Sequence, residues 1–218
     1  MAEREGFEPS VPFRAHTLSK RARSAAPAPL LGGQGLYRPS SGGSNRPLSF
    51  AGGARYRESA MELDAERRWM EEAIRQAERA AEGGEVPVGA IIVKDGRVLA
   101  RAFNQVELLK DATAHAEMIA LTSAAAALDN WRLEGCDVIV TLEPCAMCAG
   151  AMVNSRVARI VYGAADPIAG ACGSVFDVVS DTRLNHRVPV VKGVLADRCG
   201  ALLKDFFRSR RAEKSPKS

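Results

Sequence analysis

The sequence predicts an α/β protein, a three-layer α/β/α sandwich built around a mixed sheet of about five strands. Short apolar runs with the length of strands alternate with longer segments in which apolar residues recur every three or four positions. Strands that alternate with helices in this way form a sheet covered by helices on both sides. The hydrophobic fraction of 46% is ordinary for a globular core, so the chain can bury one.

Residues 1–60 differ in composition from the rest of the chain. Gly, Pro and Ser supply 22 of these 60 residues, and no helical or alternating apolar pattern crosses them. We expect a disordered extension, because such a segment buries too little apolar surface to offset its ordering entropy. An alternative hypothesis is a start assigned too far upstream, with Met61 as the initiator. The run Gly6-Phe7-Glu8-Pro9 favours it, because the reverse complement of a tRNA T-arm consensus would encode that run in one reading frame.

The net charge of +4 is unevenly distributed. Residues 1–60 hold nine Lys/Arg and four Asp/Glu, whereas residues 61–218 hold 21 and 22. Lys and Arg gather again at the C-terminus, where they could meet phosphates or form a solvated helix end. No apolar run predicts a membrane span. Five cysteines without an even framework are typical of a reduced, cytoplasmic protein rather than a disulfide-stapled secreted one.

The first predicted elements after Met61 are a helix and a hairpin. Apolar residues at helical spacing predict a helix over about residues 62–82, which Gly83-Gly84 ends. Residues 86–93 predict a buried strand. The Asp95-Gly96 pair is typical of a hairpin turn, and residues 98–103 form the returning strand.

The alternation of strands and helices continues after a predicted loop. Phe206 and Phe207 are adjacent in the last helix, so we expect one to be buried and the other to be free. The predicted elements are helices at 114–127, 145–154 and 196–211 and strands at 138–142, 158–162 and 188–191.

A histidine and two cysteines stand at the starts of two of these helices. His115-Ala116-Glu117 opens one, and Pro144-Cys145-Ala146-Met147-Cys148 opens the other directly after a strand. Two thiolates at this spacing can reach one zinc ion, and the helix dipole favours the thiolate form. With His115 as a third ligand, a fourth position stays open for water, as in catalytic zinc sites.

Glu117 follows the predicted ligand His115 by two residues. Zinc lowers the pKa of bound water toward about 7, and a nearby carboxylate can carry protons to a ring nitrogen and to departing ammonia. H-x-E followed by P-C-x-x-C is the pattern of zinc nucleobase deaminases. Separately, a C-x-x-C pair also fits a thioredoxin-like redox protein, and a lone histidine fits a core position. In this order together, the motifs favour a deaminase.

From about Met61 to Arg211 the chain resembles the bacterial tRNA-specific adenosine deaminases of the cytidine deaminase superfamily. The segments that carry the resemblance are 85–90, 111–117, 140–152, 185–187 and 205–211. The resemblance implies a cytidine deaminase-like fold over 61–218, a homodimer and one zinc ion per subunit. It also implies hydrolysis of the wobble adenosine in a tRNA anticodon stem-loop, most typically of arginine tRNA, to inosine.

The resemblance further implies a set of substrate-binding residues. The chain departs from the family pattern at Ala165, where a cation is frequent, and at Gln105-Val106, where Arg-Pro is usual. From the residues alone, Asn104 could instead cap a turn, and Asp166 before Pro167 could form an ordinary turn pair. The implied positions are Asn104, Val88, Pro87, Ala116 and Cys145 around the base, and Asp166, His186 and Phe207 on the anticodon loop.

Two other functions stay open at this point. A deaminase of free bases or nucleotides, such as guanine, cytosine or deoxycytidylate, would use the same zinc motifs. A non-catalytic tRNA-binding subunit could keep the zinc for its fold. The basic C-terminal helix and Asn185-His186-Arg187 favour RNA as the substrate, and Glu117 favours an enzyme.

Overall fold

The structure, a computed structural model, describes the backbone of residues 52–214 and the side chains of residues 63–213. Its helices are α1 (Gly52–Glu82), α2 (Val106–Leu109), α3 (Ala116–Leu128), α4 (Ala146–Asn154) and α5 (Ala196–Lys214). Its strands are β1 (Gly89–Lys94), β2 (Arg97–Phe103), β3 (Cys136–Leu142), β4 (Arg159–Ala164) and β5 (Val190–Val191).

The five strands form one mixed sheet in the order β2-β1-β3-β4-β5. Strand β1 is antiparallel to both β2 and β3, whereas β3, β4 and β5 are parallel to one another. The parallel strands β3, β4 and β5 therefore all end at the same edge of the sheet, β3 at Leu142 and β4 at Ala164. This edge leads directly into α4 and into the loop after β4.

Successive residues of each strand enter two different cores, one on each face of the sheet. Ile91, Ile139 and Val161 pack with α1 and with Cys199 of α5. Their neighbours Ile92 and Val138 pack with α3 and α4. This period-two alternation buries both faces, which confirms the predicted three-layer sandwich.

Helix α1 lies unusually close to β1 at Gly89. A Cβ atom at this position would fall 2.1 Å from the carbonyl oxygen of Ala73, so only glycine allows the contact. The Gly89 N–H also donates to Thr141 Oγ1 at 3.1 Å, which ties β1 to β3. The end of α1 and the residues before β1 are thereby fixed against the sheet.

The described boundaries differ from the predicted ones at α1, α2 and β1. Helix α1 begins at Gly52 and runs through Met61, so the expected lack of structure was wrong for residues 52–60. The reason is that residues 54–82 contain no glycine or proline, the residues that disfavour a helix most, between Gly52-Gly53 and Gly83. Residues 1–51 of the predicted extension lie outside the described residues.

Helix α2 lies in a segment predicted as a loop, and β1 begins three residues later than predicted. The Val88 N–H donates to the Val86 carbonyl at 2.7 Å, a tight turn that keeps residues 86–88 out of the sheet. Within the part of the chain that the structure describes, no helix combines the length and apolarity that crossing a membrane would require.

Candidate metal centre and active-site pocket

Two helix N-termini bring one histidine and two cysteines together. His115 is the residue before α3, and Cys145 is the residue before α4, which follows β3 after a short turn. His115 Nδ1 lies 3.7 Å from Cys145 Sγ and 3.6 Å from Cys148 Sγ. The three atoms all lie within 4.8 Å of one another, so they surround a common point.

The distances fit a zinc ion. In a tetrahedral site with Zn–S of 2.3 Å and Zn–N near 2.0 Å, sulfur and nitrogen ligands lie about 3.5 Å apart. The observed separations of 3.6 and 3.7 Å match this value. One imidazole and two thiols are also donors that zinc prefers. Among the described residues, no other His, Cys, Asp and Glu side chains form a group of this kind.

Cys145 differs electrostatically from the other cysteines, including Cys148, whose pKa is raised by its hydrogen bond with Cys145 and by burial. Hydrogen bonds from the Cys148 thiol and from His115 lower the pKa of Cys145 to about 3, which favours the thiolate that binds metal. Burial instead raises the pKa of Cys136, of Cys172 to about 12, and of Cys199 to about 11. These three behave as apolar core residues.

Glu117 lies in the first turn of α3, beside the histidine and cysteine side chains. It is only 4% exposed, and its burial raises the pKa of its carboxyl group. Together with His115 and Cys145 it lines a cavity of about 320 Å³. A carboxylate in this position can accept a proton from a bound molecule and return it.

Several of the residues that the resemblance implies as contacts of the base line this cavity. Asn104, at the end of β2, is 7% exposed, and Val88 is 8% exposed. Ala116 is fully buried at the start of α3, next to His115, but it does not line the cavity. The cavity wall consists of Glu85, Val86, Val88, Asn104, Val106, Glu107, His115, Glu117, Leu142, Glu143, Cys145, Asp166 and Ala169.

Asp166 lines the cavity and also shapes the turn that contains it. Its Oδ1 accepts hydrogen bonds from the N–H groups of Ile168 at 2.8 Å and Ala169 at 3.1 Å. The turn function anticipated from the Asp166-Pro167 pair is therefore present. Because Oδ1 is used in the turn, a ligand would contact the other carboxylate oxygen of Asp166.

Phe207 and His186 lie outside the cavity. Phe207 is 44% exposed on α5 and borders a groove that it shares with Val86, a wall residue of the cavity. Its neighbour Phe206 is less exposed and meets it edge-to-face, with ring centroids 5.4 Å apart. His186 Nε2 is 3.0 Å from the carbonyl oxygen of Val157, which precedes β4. His186 thus lies at the opposite end of the sheet from the metal ligands, and its contact with RNA stays a prediction.

Two buried glutamates of the cavity wall were not singled out from the sequence. Glu85 and Glu143 are each 2% exposed. Glu143 accepts hydrogen bonds from the N–H groups of Asp166, Cys172 and Ser174, at 3.1, 3.0 and 3.1 Å, and from the Ser174 hydroxyl. A signal exists in the sequence, because each glutamate stands alone among the apolar residues that flank a buried strand.

Comparisons with known proteins agree with this geometry. Residues 63–164 match the family model described as the cytidine and deoxycytidylate deaminase zinc-binding region. The tRNA-specific adenosine deaminase of Bacillus subtilis is 49% identical over 146 residues, which are 67% of this chain and 91% of the relative. That of Aquifex aeolicus is 48% identical over 139 residues, or 64% of this chain and 91% of the relative.

Solved structures of two kinds of deaminase are similar to this chain. A structure from a study of A-to-I editing by tRNA:A34 deaminases at the wobble position has 43% identity and a TM-score of 0.61, covering 62% of this chain and 99% of that one. A guanine deaminase from Nitrosomonas europaea has 25% identity and a TM-score of 0.57, covering 64% of this chain and 83% of that one.

Proposed function

The chain belongs to the tRNA-specific adenosine deaminase family, and from this premise we propose that it hydrolyses the wobble adenosine of a tRNA to inosine and ammonia. The carrying observation is the buried carboxylate of Glu117 beside the His115, Cys145 and Cys148 group in a cavity of about 320 Å³. We further propose an arginine tRNA as substrate, a cytoplasmic homodimer, and residues 61–218 as the deaminase domain.

One zinc ion per subunit would be held by His115 Nδ1 and by the sulfur atoms of Cys145 and Cys148. The donor set and the separations of 3.6 and 3.7 Å support this assignment. When bound, zinc supplies the Lewis acidity that ionises water near neutral pH. The helix N-termini behind Cys145 and His115 stabilise the negative charge of the ligand group.

Glu117 would move the protons of the reaction. Its carboxylate would accept a proton from the attacking water and donate it to the ring nitrogen of adenine. It would then take the remaining proton of the added hydroxyl group, which becomes the carbonyl, and donate it to the amino group, which leaves as ammonia. Burial supports this role, because a raised pKa increases the proton affinity of the carboxylate toward the neutral range. Such general acid–base catalysis contributes on the order of 10²- to 10⁴-fold in rate.

The adenine base would enter the cavity after leaving the stack of the anticodon loop. Asn104 offers a hydrogen-bonding amide at the cavity wall, and Val88 offers an apolar surface against the ring. Phe207 and Arg210 border the neighbouring groove, where an aromatic ring and a cation suit a flanking base and a phosphate. Asp166 and His186 are the remaining proposed contacts with the loop.

The test compares substrates of different size on one purified protein. An anticodon stem-loop with adenosine at the wobble position is expected to give inosine, read by sequencing, with no detectable turnover of free guanine, cytosine or deoxycytidylate. Brisk release of ammonia from free guanine with an unreacted stem-loop would instead assign the chain to the activity of its guanine deaminase neighbour. RNA binding without any turnover would indicate a non-catalytic subunit.

A further inference from the structure

The buried carboxylate of Glu85 accepts hydrogen bonds from three groups around the active-site cavity. Oε2 accepts from Asn104 Nδ2 at 3.2 Å and from the Glu107 N–H at 3.1 Å. Oε1 accepts from the Leu108 N–H at 2.7 Å. Glu85 does not belong to the His115, Cys145 and Cys148 group, and the proton transfers assigned to Glu117 do not use it. Its function must therefore come from the groups that it holds.

The backbone of Glu85 is fixed at the end of α1. Its N–H donates to the Ala80 carbonyl at 2.9 Å, after a turn in which Gly84 has a φ of +77°. Helix α1 is in turn locked onto β1 by the close approach at Gly89. Glu85 therefore lies in a short turn that is held in place by α1 on one side and by β1 on the other.

Glu85 also caps a helix that has no cap of its own. Gln105, the residue before α2, makes no side-chain capping hydrogen bond. The first N–H groups of a helix have no partner within the helix, and Glu85 accepts from two of them, those of Glu107 and Leu108. The Gln105 N–H donates to the Ala114 carbonyl at 3.0 Å, which closes the segment between Asn104 and His115.

The same contact fixes which way the Asn104 amide points. A carboxylate presents oxygen acceptors, so the amide must turn its Nδ2 toward Glu85. Oδ1 then lies on the other side of the amide, and the second Nδ2 hydrogen is free of Glu85. A donor and an acceptor side by side complement the N7 acceptor and N6 donor of adenine. An inverted amide would oppose both groups.

We propose that Glu85 is a positioning residue for base recognition: it fixes the orientation of the Asn104 amide and the start of α2. The inference rests on the proposed function, because Asn104 can act on adenine only if adenine is bound in this cavity. Its effect on the reaction passes through Asn104. The effect of a substitution at Glu85 on the reaction should therefore depend on whether Asn104 is present.

The experiment is a double-mutant cycle on the full chain, measuring kcat and KM for inosine formation in the stem-loop. Glu85→Gln places an amide N–H against the N–H donors and is expected to lower kcat/KM on the order of 10²-fold. In the Asn104→Ala background the same substitution is expected to cost no more than about threefold, because coupled residues are not additive. Zinc content is expected to stay unchanged.

The matched control is Glu66→Gln, which removes another buried carboxylate, 5% exposed, paired with Arg159 at the start of β4 and not part of the cavity wall. It is expected to lower stability while leaving kcat/KM of the folded enzyme unchanged. Glu85→Asp, which withdraws the carboxylate from Asn104 by one methylene, is expected to reproduce the Glu85→Gln pattern and serves if the latter does not fold. Equal losses in both backgrounds would overturn the proposal and leave the function standing.

A readout without substrate separates the two hypotheses. The side-chain ¹H–¹⁵N resonances of Asn104 are expected to shift and to lose exchange protection in Glu85→Gln but not in Glu66→Gln. If the wild-type protein leaves the stem-loop unreacted, the proposed function fails, and these resonances still decide whether Glu85 orients the amide. Unmoved resonances would refute the positioning role in either case.

Discussion

The carboxylate of Glu143 accepts a hydrogen bond from the main-chain N–H of Asp166 at 3.1 Å. Glu143 directly precedes the Pro144-Cys145 turn that carries a proposed metal ligand, whereas Asp166 belongs to the loop after β4. The same carboxylate holds the N–H groups of Cys172 and Ser174. One buried side chain therefore joins the metal centre to the loop that borders the substrate cavity.

The first prediction concerns the stability supplied by Glu143. Glu143→Gln keeps the shape but turns an amide N–H toward backbone donors, so one or more of them loses its acceptor. Leaving a buried donor unpaired costs about 1–3 kcal/mol, and we expect a loss of this size in the free energy of unfolding. Urea denaturation of the wild-type and variant proteins at pH 7 measures it.

The difference in the free energy of unfolding between the wild type and Glu143→Gln is also expected to depend on pH. Burial alone would raise the pKa of Glu143, but hydrogen bonds from Ser174, Asp166 and Cys172 outweigh it and hold the pKa below its ordinary value of 4.5. The stabilisation is therefore present above pH 4.5 and is lost as the pH falls through the folded-state pKa. The difference in the free energy of unfolding between the wild type and Glu143→Gln should therefore decrease as the pH falls below 4.5. The control is Glu134→Gln at an exposed position, whose free energy of unfolding is expected to match that of the wild type at every pH. A difference for Glu143→Gln that does not change with pH would contradict the stabilising role of the Glu143 carboxylate.

The second prediction concerns the metal ligands. Cys148→Ala removes one of the three donors and is expected to reduce zinc content and turnover to background, with a lower Tm because metal binding is coupled to folding. Cys136→Ala removes an equally buried thiol from β3 and is expected to keep the full zinc content. Elemental analysis of both purified variants decides, and zinc retained by Cys148→Ala would show that the ligand set is wrong.

That His115, Cys145 and Cys148 lie together could be predicted from sequence because most of their geometry is local. A C-x-x-C pair at the start of a helix brings two sulfurs together wherever the helix lies, and only His115 must arrive from elsewhere. The partners of Glu85 and Glu143 have no such local pattern, since Asn104 follows Glu85 by 19 residues and Ser174 follows Glu143 by 31. Those contacts exist only once the sheet has formed.

The helices show the same division between local and tertiary causes. Helix α3 could be predicted because its buried residues recur at helical spacing along 13 positions. Helix α2 spans four residues and buries none of them, so it gives no periodic signal. Its N-terminus is capped by Glu85, from another element, which explains why the segment resembles a loop in the sequence.

The third prediction separates chemistry from binding at Glu117. Glu117→Ala is expected to retain zinc and to bind the stem-loop with unchanged Kd, because the residue is neither a metal ligand nor a contact for the RNA backbone. Its turnover is expected to fall on the order of 10²- to 10⁴-fold, the usual contribution of a general acid–base group. Single-turnover kinetics with excess enzyme measure the step directly. Near-normal deamination by this variant would remove Glu117 from the mechanism.

The fourth prediction concerns Phe207, whose ring is 44% exposed beside the groove that adjoins the cavity. If a flanking base stacks on it, Phe207→Ala removes about 1–3 kcal/mol of binding, the usual value for one base on an aromatic ring. We therefore expect KM for the stem-loop to rise about 5- to 150-fold with little change in kcat, since stacking away from the reacting atoms stabilises ground and transition states alike.

The control for Phe207→Ala is Trp131→Ala. Trp131 is 58% exposed and lies before β3, at the end of the sheet opposite the metal ligands, so its removal takes away a comparable aromatic surface without touching the cavity. Its KM is expected to match that of the wild type. Equal KM values for all three proteins would place the anticodon loop elsewhere on the surface, whereas a fall in kcat alone for Phe207→Ala would mean that α5 positions the reacting base rather than its neighbour.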